Sequence, residues 1–176
     1  MPDFRALWDQ GLPIDRFVAT SAIEYRDMWK TMHRIARVPD WAVTGLPEDS
    51  VRRLLVLAED WCSDGSSTVP VLARWTEAVP GLELRILRRD EHLDLMGDYL
   101  TNGALSIPIV IVLDEEFNQL GHWGPRPAPL QAWVKANREM PKPERTREIR
   151  RWYAKDRGET AIREVAALLD LPAKVA

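Results

Sequence analysis

The chain has 176 residues, 45% of them apolar and 29% charged, with 24 basic against 27 acidic side chains and a net charge of −3. That length suits one ordinary domain, and the near-balanced charge gives no call for nucleic acid or an anionic membrane as partner. One cysteine, Cys62, excludes an internal disulfide framework and any cysteine-cluster zinc site. No stretch reads as a secretory signal or a membrane span, so a reducing cytoplasm is the expected location.

In chain order, residues Asp3 to Trp8 read as a short helical turn broken by Gly11 to Pro13. Thr20 or Ser21 is expected to cap a long helix, with Glu24 in capping-box register behind Ser21. Its apolar stripe is Tyr25, Met28, Trp29, Met32, Ile35 and Ala36, with His33 beside it as a surface residue. Residues 39–50 read as a connector. These first 50 residues form an N-terminal helical extension.

The centre, 51–140, runs strand, helix, strand, helix, strand, strand, helix. Residues 52–58 contain Leu54-Leu55-Val56-Leu57-Ala58, a continuous apolar run suited to a strand buried on both faces. A helix begins near Ser66 and stops before Pro80-Gly81. Leu82 to Leu87 alternate as a second strand, and a second helix runs from Asp90 to its close at Asn102-Gly103. Ile107 to Leu113, with Pro108 second, makes strand three. Asp114 to Asn118 then turns the chain into strand four, Gln119 to Trp123, as an antiparallel hairpin. A helix from Pro129 to about Met140 completes the centre.

Residues 141–176 add two helices. One starts at Pro143 and carries Ile149, Trp152 and Tyr153; the other opens at Thr160 and carries Ile162, Val165, Ala166 and Leu169. Their stripes need a surface, either the chain's own core or a second copy in a homodimer through Trp152 and Tyr153. Beyond Pro141 basic residues outnumber acidic ones nine to six, which reads as a solvated helix surface. Most of the eight tryptophans are expected to be packing residues.

Cys62 follows the first strand and precedes Ser63-Asp64-Gly65-Ser66, residues that favour turns and helix starts. A thiolate at such a junction gains from unpaired amides and the helix dipole, by ~0.3–1 kcal/mol. A carboxylate at ~6 Å, as Asp64 would supply, opposes it by ~0.7–2.8 kcal/mol for effective dielectric constants of ~80 to ~20. Glu59 and Asp60 add to that opposition if they lie near, whereas Arg126 would offset it. The terms are of comparable size, so the sequence leaves the thiol's activation open.

The element order, with Trp61-Cys62 after strand one, Ile107-Pro108 entering strand three and Gly121 after the hairpin turn, resembles the thioredoxin superfamily over residues 51–140. Within it the chain looks like a branch of bacterial thioredoxin-like proteins with W-C-x-D, here Trp61-Cys62-Ser63-Asp64, and W-G-P-R-P, here Trp123 to Pro127. The resemblance implies an α/β, three-layer thioredoxin-like fold around a four-stranded mixed sheet, with the N-terminal extension and two C-terminal helices joined to it in one domain. It also implies that Cys62 is the attacking thiol, that Pro108 is cis, and that the Ile107 backbone faces the sulfur.

Three departures matter. Gly65 stands where a resolving cysteine would be, Asp64 replaces the usual proline, and Val56 replaces the buried carboxylate of strand one. With one sulfur, a mixed disulfide needs an external thiol for release. The expectation is therefore a monothiol oxidoreductase acting on a disulfide-bearing protein or small thiol. Cys62 and Asp64 are its catalytic candidates, and Trp61, Ile107, Pro108 and Arg126 its substrate-binding candidates. No metal and no cofactor is expected beyond an external low-molecular-weight thiol as co-substrate. The alternative is a redox-inactive binding module with the same groove. A peroxide-reducing enzyme is disfavoured because Glu59, not threonine, lies three residues before Cys62. His122 with Cys62 lacks a visible third partner, and no glycine-rich phosphate loop appears.

Overall fold

Strand β1, Arg52–Ala58, is the axis of the protein. In the computed structural model, which describes residues 2–43, 46 and 50–169, it pairs in parallel with β2, Leu82–Arg88, and antiparallel with β3, Ile109–Leu113. β4, Gln119–Trp123, returns antiparallel to β3, giving the order β2-β1-β3-β4. The helices are α1 (Phe4–Gln10), α2 (Ile14–Ala19), α3 (Ile23–Ile35), α4 (Ser63–Ala78), α5 (Leu93–Gly97), α6 (Ala128–Ala136), α7 (Lys142–Asp156) and α8 (Glu159–Leu168).

The unbroken apolar run of β1 follows from covering both sheet faces. Successive side chains alternate, so Leu54, Val56 and Ala58 join one core with Trp29, Leu72, Trp75, Ile162 and Val165. Leu55 and Leu57 join the other, with Phe4, Trp8, Met96 and Ile111. The mixed sheet with helices on both faces is the expected α/β, thioredoxin-like architecture.

Several boundaries differ from expectation. The region before α3 holds a separate helix, α2, and Ala22 rather than Thr20 or Ser21 is the cap of α3. Both hydroxyls turn back to the end of α2: Ser21 Oγ donates to the Phe17 carbonyl at 2.8 Å and Thr20 Oγ1 to the Arg16 carbonyl at 3.0 Å. The start of α3 is instead satisfied from a distance, the Asp60 carboxylate accepting from the Ala22 N–H at 2.8 Å. The second core helix is shorter than expected. It reduces to a 3-10 turn, Arg89–Glu91, and α5, which ends at Gly97. Asn102 and Gly103, both at positive φ, close a tight turn between Thr101 and Ala104. Strand β3 begins at Ile109 because Pro108, after a cis bond to Ile107, has no N–H for the ladder. Helix α6 stops at Ala136, capped by Asn137. The connector expected over 39–50 lies partly outside the described residues; its start is a 3-10 turn, Asp40–Val43.

The terminal additions are built into the core. Leu12 exchanges both backbone hydrogen bonds with Ile86, at 2.9 and 2.8 Å, and so covers part of the outer edge of β2. The turn between α7 and α8 passes Gly158, at φ +83°, where an added Cβ would sit 2.6 Å from Val71 on α4. Ala161, Ile162, Val165, Ala166 and Leu169 are buried in this chain's own core, as is Tyr153. Four tryptophans, Trp8, Trp29, Trp75 and Trp123, are buried, whereas Trp61 is 47% exposed.

Candidate functional site

Helix α4 begins at Ser63, three residues earlier than the turn-forming sequence suggests, because Cys62 is its N-cap. The sulfur accepts from the Gly65 N–H at 3.4 Å, doing what a serine or aspartate oxygen does elsewhere. Its own S–H donates to the Ile107 carbonyl at 3.4 Å. That carbonyl directly precedes cis Pro108, so Cys62, Ile107 and Pro108 meet at one point. Gly124, at φ +127°, packs so closely on this segment that any Cβ would overlap the Pro108 carbonyl oxygen, and the Gly124–Pro125 bond is also cis.

Cys62 is buried, 8% exposed, and burial is the leading cause that pushes its thiol above the ordinary value. The Asp64 charge pushes the same way. The amides of Gly65 and Asp64, and then Arg126, pull it down without reversing the direction.

Asp64 is not a helix cap. Its carboxylate is gripped by Arg126, Nε to Oδ1 at 3.0 Å and Nη2 to Oδ2 at 2.6 Å, a two-point charge-assisted pairing. Tyr153 from α7 donates its hydroxyl to the same Oδ1 at 2.9 Å. The remaining Arg126 donor reaches Gln131 Oε1 at 3.1 Å. Pro125 and Pro127, both buried, fix the loop that carries Arg126. Glu164 on α8 steadies the loop's ends, accepting from Trp123 Nε1 at 2.5 Å and from the Ala128 N–H at the start of α6 at 2.9 Å.

Glu59 and Asp60 have partners of their own. Both face Arg88, at 3.9 and 3.7 Å, and Glu59 also accepts the Asp90 N–H at 2.9 Å. Burial, above all, raises the Glu59 carboxyl. Trp61 lies outside this network, its ring under the Arg89 guanidinium at 5.0 Å, while Arg89 donates to the Leu105 carbonyl at 2.9 Å. His122 meets the edge of Tyr99 and pairs along the sheet with Ile111, so it forms no dyad with Cys62.

Tyr153, Gln131 and Glu164 were not among the candidates from sequence. Tyr153 stood out there only as one apolar member of a helical stripe, and nothing in its local pattern shows that its hydroxyl reaches a carboxylate 89 residues away. Among the described residues no cluster of three or more His, Cys, Asp or Glu side chains is placed to hold a metal ion, and no helix is long and apolar enough to cross a membrane.

A four-stranded mixed sheet with a thiol capping the helix after its central strand, opposite a cis-proline, defines a thioredoxin-fold protein. The chain belongs to the thioredoxin family: a family model described as thioredoxin matches residues 13–142, reaching back through α2 and α3. Its fold is similar to that of a Pseudomonas aeruginosa protein of unknown function, at 25% identity and a TM-score of 0.78, covering 97% of this chain and 98% of that one. An HIV epitope-scaffold is similar at 23% identity and a TM-score of 0.75, with 96% and 98% covered. No curated protein matches.

Proposed function

We propose that the protein is a monothiol thiol–disulfide oxidoreductase. The observation that carries this reading is the Cys62 sulfur at the N-cap of α4, in hydrogen-bond contact with the carbonyl that precedes cis Pro108. In the proposed cycle the Cys62 thiol loses its proton and attacks one sulfur of a disulfide, forming a mixed disulfide and releasing the other sulfur as a thiol. An external thiol then attacks the mixed disulfide, frees Cys62 and leaves as the new disulfide, so electrons pass from thiol to disulfide with no net change in the protein. Trp61, Ile107 and Pro108 line the approach, with Ile107 free to pair with a bound backbone once the thiol proton is gone. Arg126 neutralises Asp64 and so keeps a second negative charge from standing unopposed beside the thiolate.

One observation favours the second reading, a redox-inactive binding module: Cys62 is buried, which disfavours the thiolate that attack on a disulfide requires. A single experiment separates the two. The reduced protein is incubated with a small symmetric disulfide, and its intact mass is followed before and after addition of excess thiol. A mixed disulfide confined to Cys62, released by thiol and absent in Cys62→Ser, is the expected result. Absence of any adduct on the native protein, with ready reaction of the unfolded chain, would give the site to binding alone.

A further inference from the structure

A groove of about 810 Å³ runs beside the start of α4, between α3 and α7, from Trp61 and Ser63 at one end to Arg37 and Arg157. Its apolar surface comes from Met28, Met32 and Ile35 on one wall and Val71 and Ala154 on the others. Met28 and Ile35 are 40% and 54% exposed, so the outer half of the α3 stripe is left uncovered while Trp29 on the same helix is fully buried. A stripe expected to pack inward is therefore divided: one edge enters the core and the other lines a surface depression.

The charge in this groove is one-sided. Arg37, Arg150 and Arg157 line it, and among the described residues no acidic side chain does, in a protein whose acids outnumber its bases. Nearby arginines on α7 do have acidic partners, Arg151 at 2.7 Å from Glu148 for example. Arg37, Arg150 and Arg157 make no ion pair or side-chain hydrogen bond among the described residues. Arg150 lies on α7 and Arg157 is the residue that caps its end, and both line the groove.

We propose that this groove binds an amphipathic organic anion, a free long-chain carboxylate. The size lies within the ~300–1,000 Å³ of small-molecule sites. The walls are helices, whose backbone N–H and C=O groups are already paired, so they offer no edge to an extended peptide. Two of the three serines add little polarity, since Ser66 and Ser67 both donate to the Ser63 carbonyl, at 3.1 and 2.8 Å. What remains is a hydrocarbon trough with unbranched methionines, which adapt to a flexible chain, and guanidinium groups suited to two-point contact with a carboxylate. The groove shares Trp61 with the approach to Cys62 and Tyr153 with the Asp64 network, but the Cys62 sulfur does not line it.

The test is calorimetric titration of the protein with dodecanoate below its micellar concentration, with dodecanol as the uncharged comparison. Saturable one-site binding of dodecanoate is expected, with dodecanol about tenfold weaker or more and Arg150→Gln/Arg157→Gln weakened by about the same factor. Ile35→Asp, at an exposed position, should abolish binding while leaving the unfolding transition in place. Cys62→Ser should bind as the parent does, so failure of the redox reading leaves this one standing. Equal affinity for dodecanol, unchanged affinity in the arginine double variant, or no saturable binding would overturn the proposal. So would sedimentation with anionic phosphatidylglycerol vesicles in the absence of dodecanoate binding, which would assign the face to a membrane surface.

Discussion

Tyr153 donates its hydroxyl to Asp64 at 2.9 Å, joining the last turn of α7 to the first turn of α4 across 89 residues of chain. Both side chains are buried, and Asp64 already carries a two-point pairing to Arg126. Helix α7 is thus fastened to the residue two positions after the thiol. Hydrogen bonds to a charged group contribute about 1.5–3 kcal/mol. Tyr153→Phe, which keeps the ring, should lose about that much in denaturant unfolding with an unchanged slope. An unchanged midpoint would mean that the hydroxyl holds nothing.

Asp64 and Arg126 act on Cys62 with opposite sign, the carboxylate raising the thiol and the guanidinium lowering it. Asp64→Asn leaves the guanidinium unopposed, so the pH midpoint of iodoacetamide alkylation should fall and the rate at pH 7 should rise. Arg126→Gln should move the midpoint upward. It should also cost about 3 kcal/mol of stability, because a buried carboxylate loses its charge partner. Shifts in the reverse directions would show that the two side chains reach the sulfur by rearranging the loop rather than through their charge.

Much of the fold was legible because β1 states its own burial. Five consecutive apolar residues from Leu54 to Ala58 require cover on both faces, and proline at 108 together with the turn residues after Cys62 place the junction. Helix α4 starts earlier than its turn-forming residues suggest because a cysteine is not an ordinary cap, although its sulfur accepts the Gly65 N–H. The cap of α3 departs from its local pattern for a related reason. Ser21 is a good local cap, but a carboxylate from Asp60, 38 residues away, takes that place and frees the hydroxyl to close α2. Period and local capping residues reveal which faces are apolar; they do not reveal partners contributed by distant segments, and Tyr153, Glu164 and Asp60 are all of that kind.

Alkaline instability has a definite sign here. Burial is the leading cause that raises Tyr153, with the Asp64 charge adding to it, and burial likewise pushes Tyr99 up to about 12. The folded protein therefore keeps phenolic protons that the unfolded chain releases near the ordinary tyrosine value of ~10. Their contribution is fully present below ~10 and is lost as pH rises from there toward the folded values. Stability measured from pH 8 to 11.5 should fall steeply above ~10, and the fall should be shallower in Tyr153→Phe. A parallel decline in parent and variant would remove Tyr153 from this role.

Gly65 separates this site from a dithiol one, and the backbone already has the geometry for a second sulfur. A Cβ at this position would lie 3.4 Å from the Cys62 Cβ, close to the ~3.5–4.5 Å span of disulfides, and 3.7 Å from its sulfur. Neither contact is a clash, and the helix there has no positive φ to strain a side chain. Gly65→Cys should fold, and mild oxidation should then form an internal disulfide, seen as a mass lower by two hydrogens and the loss of both titratable thiols. The same variant should release a mixed disulfide at Cys62 without external thiol, since the new sulfur can attack from within. If both thiols stayed free under oxidant while the fold was retained, the Cys62 side chain would have to be held toward Ile107 too firmly to turn. Its hydrogen bond to that carbonyl, and not the missing sulfur alone, would then bar dithiol chemistry at this site.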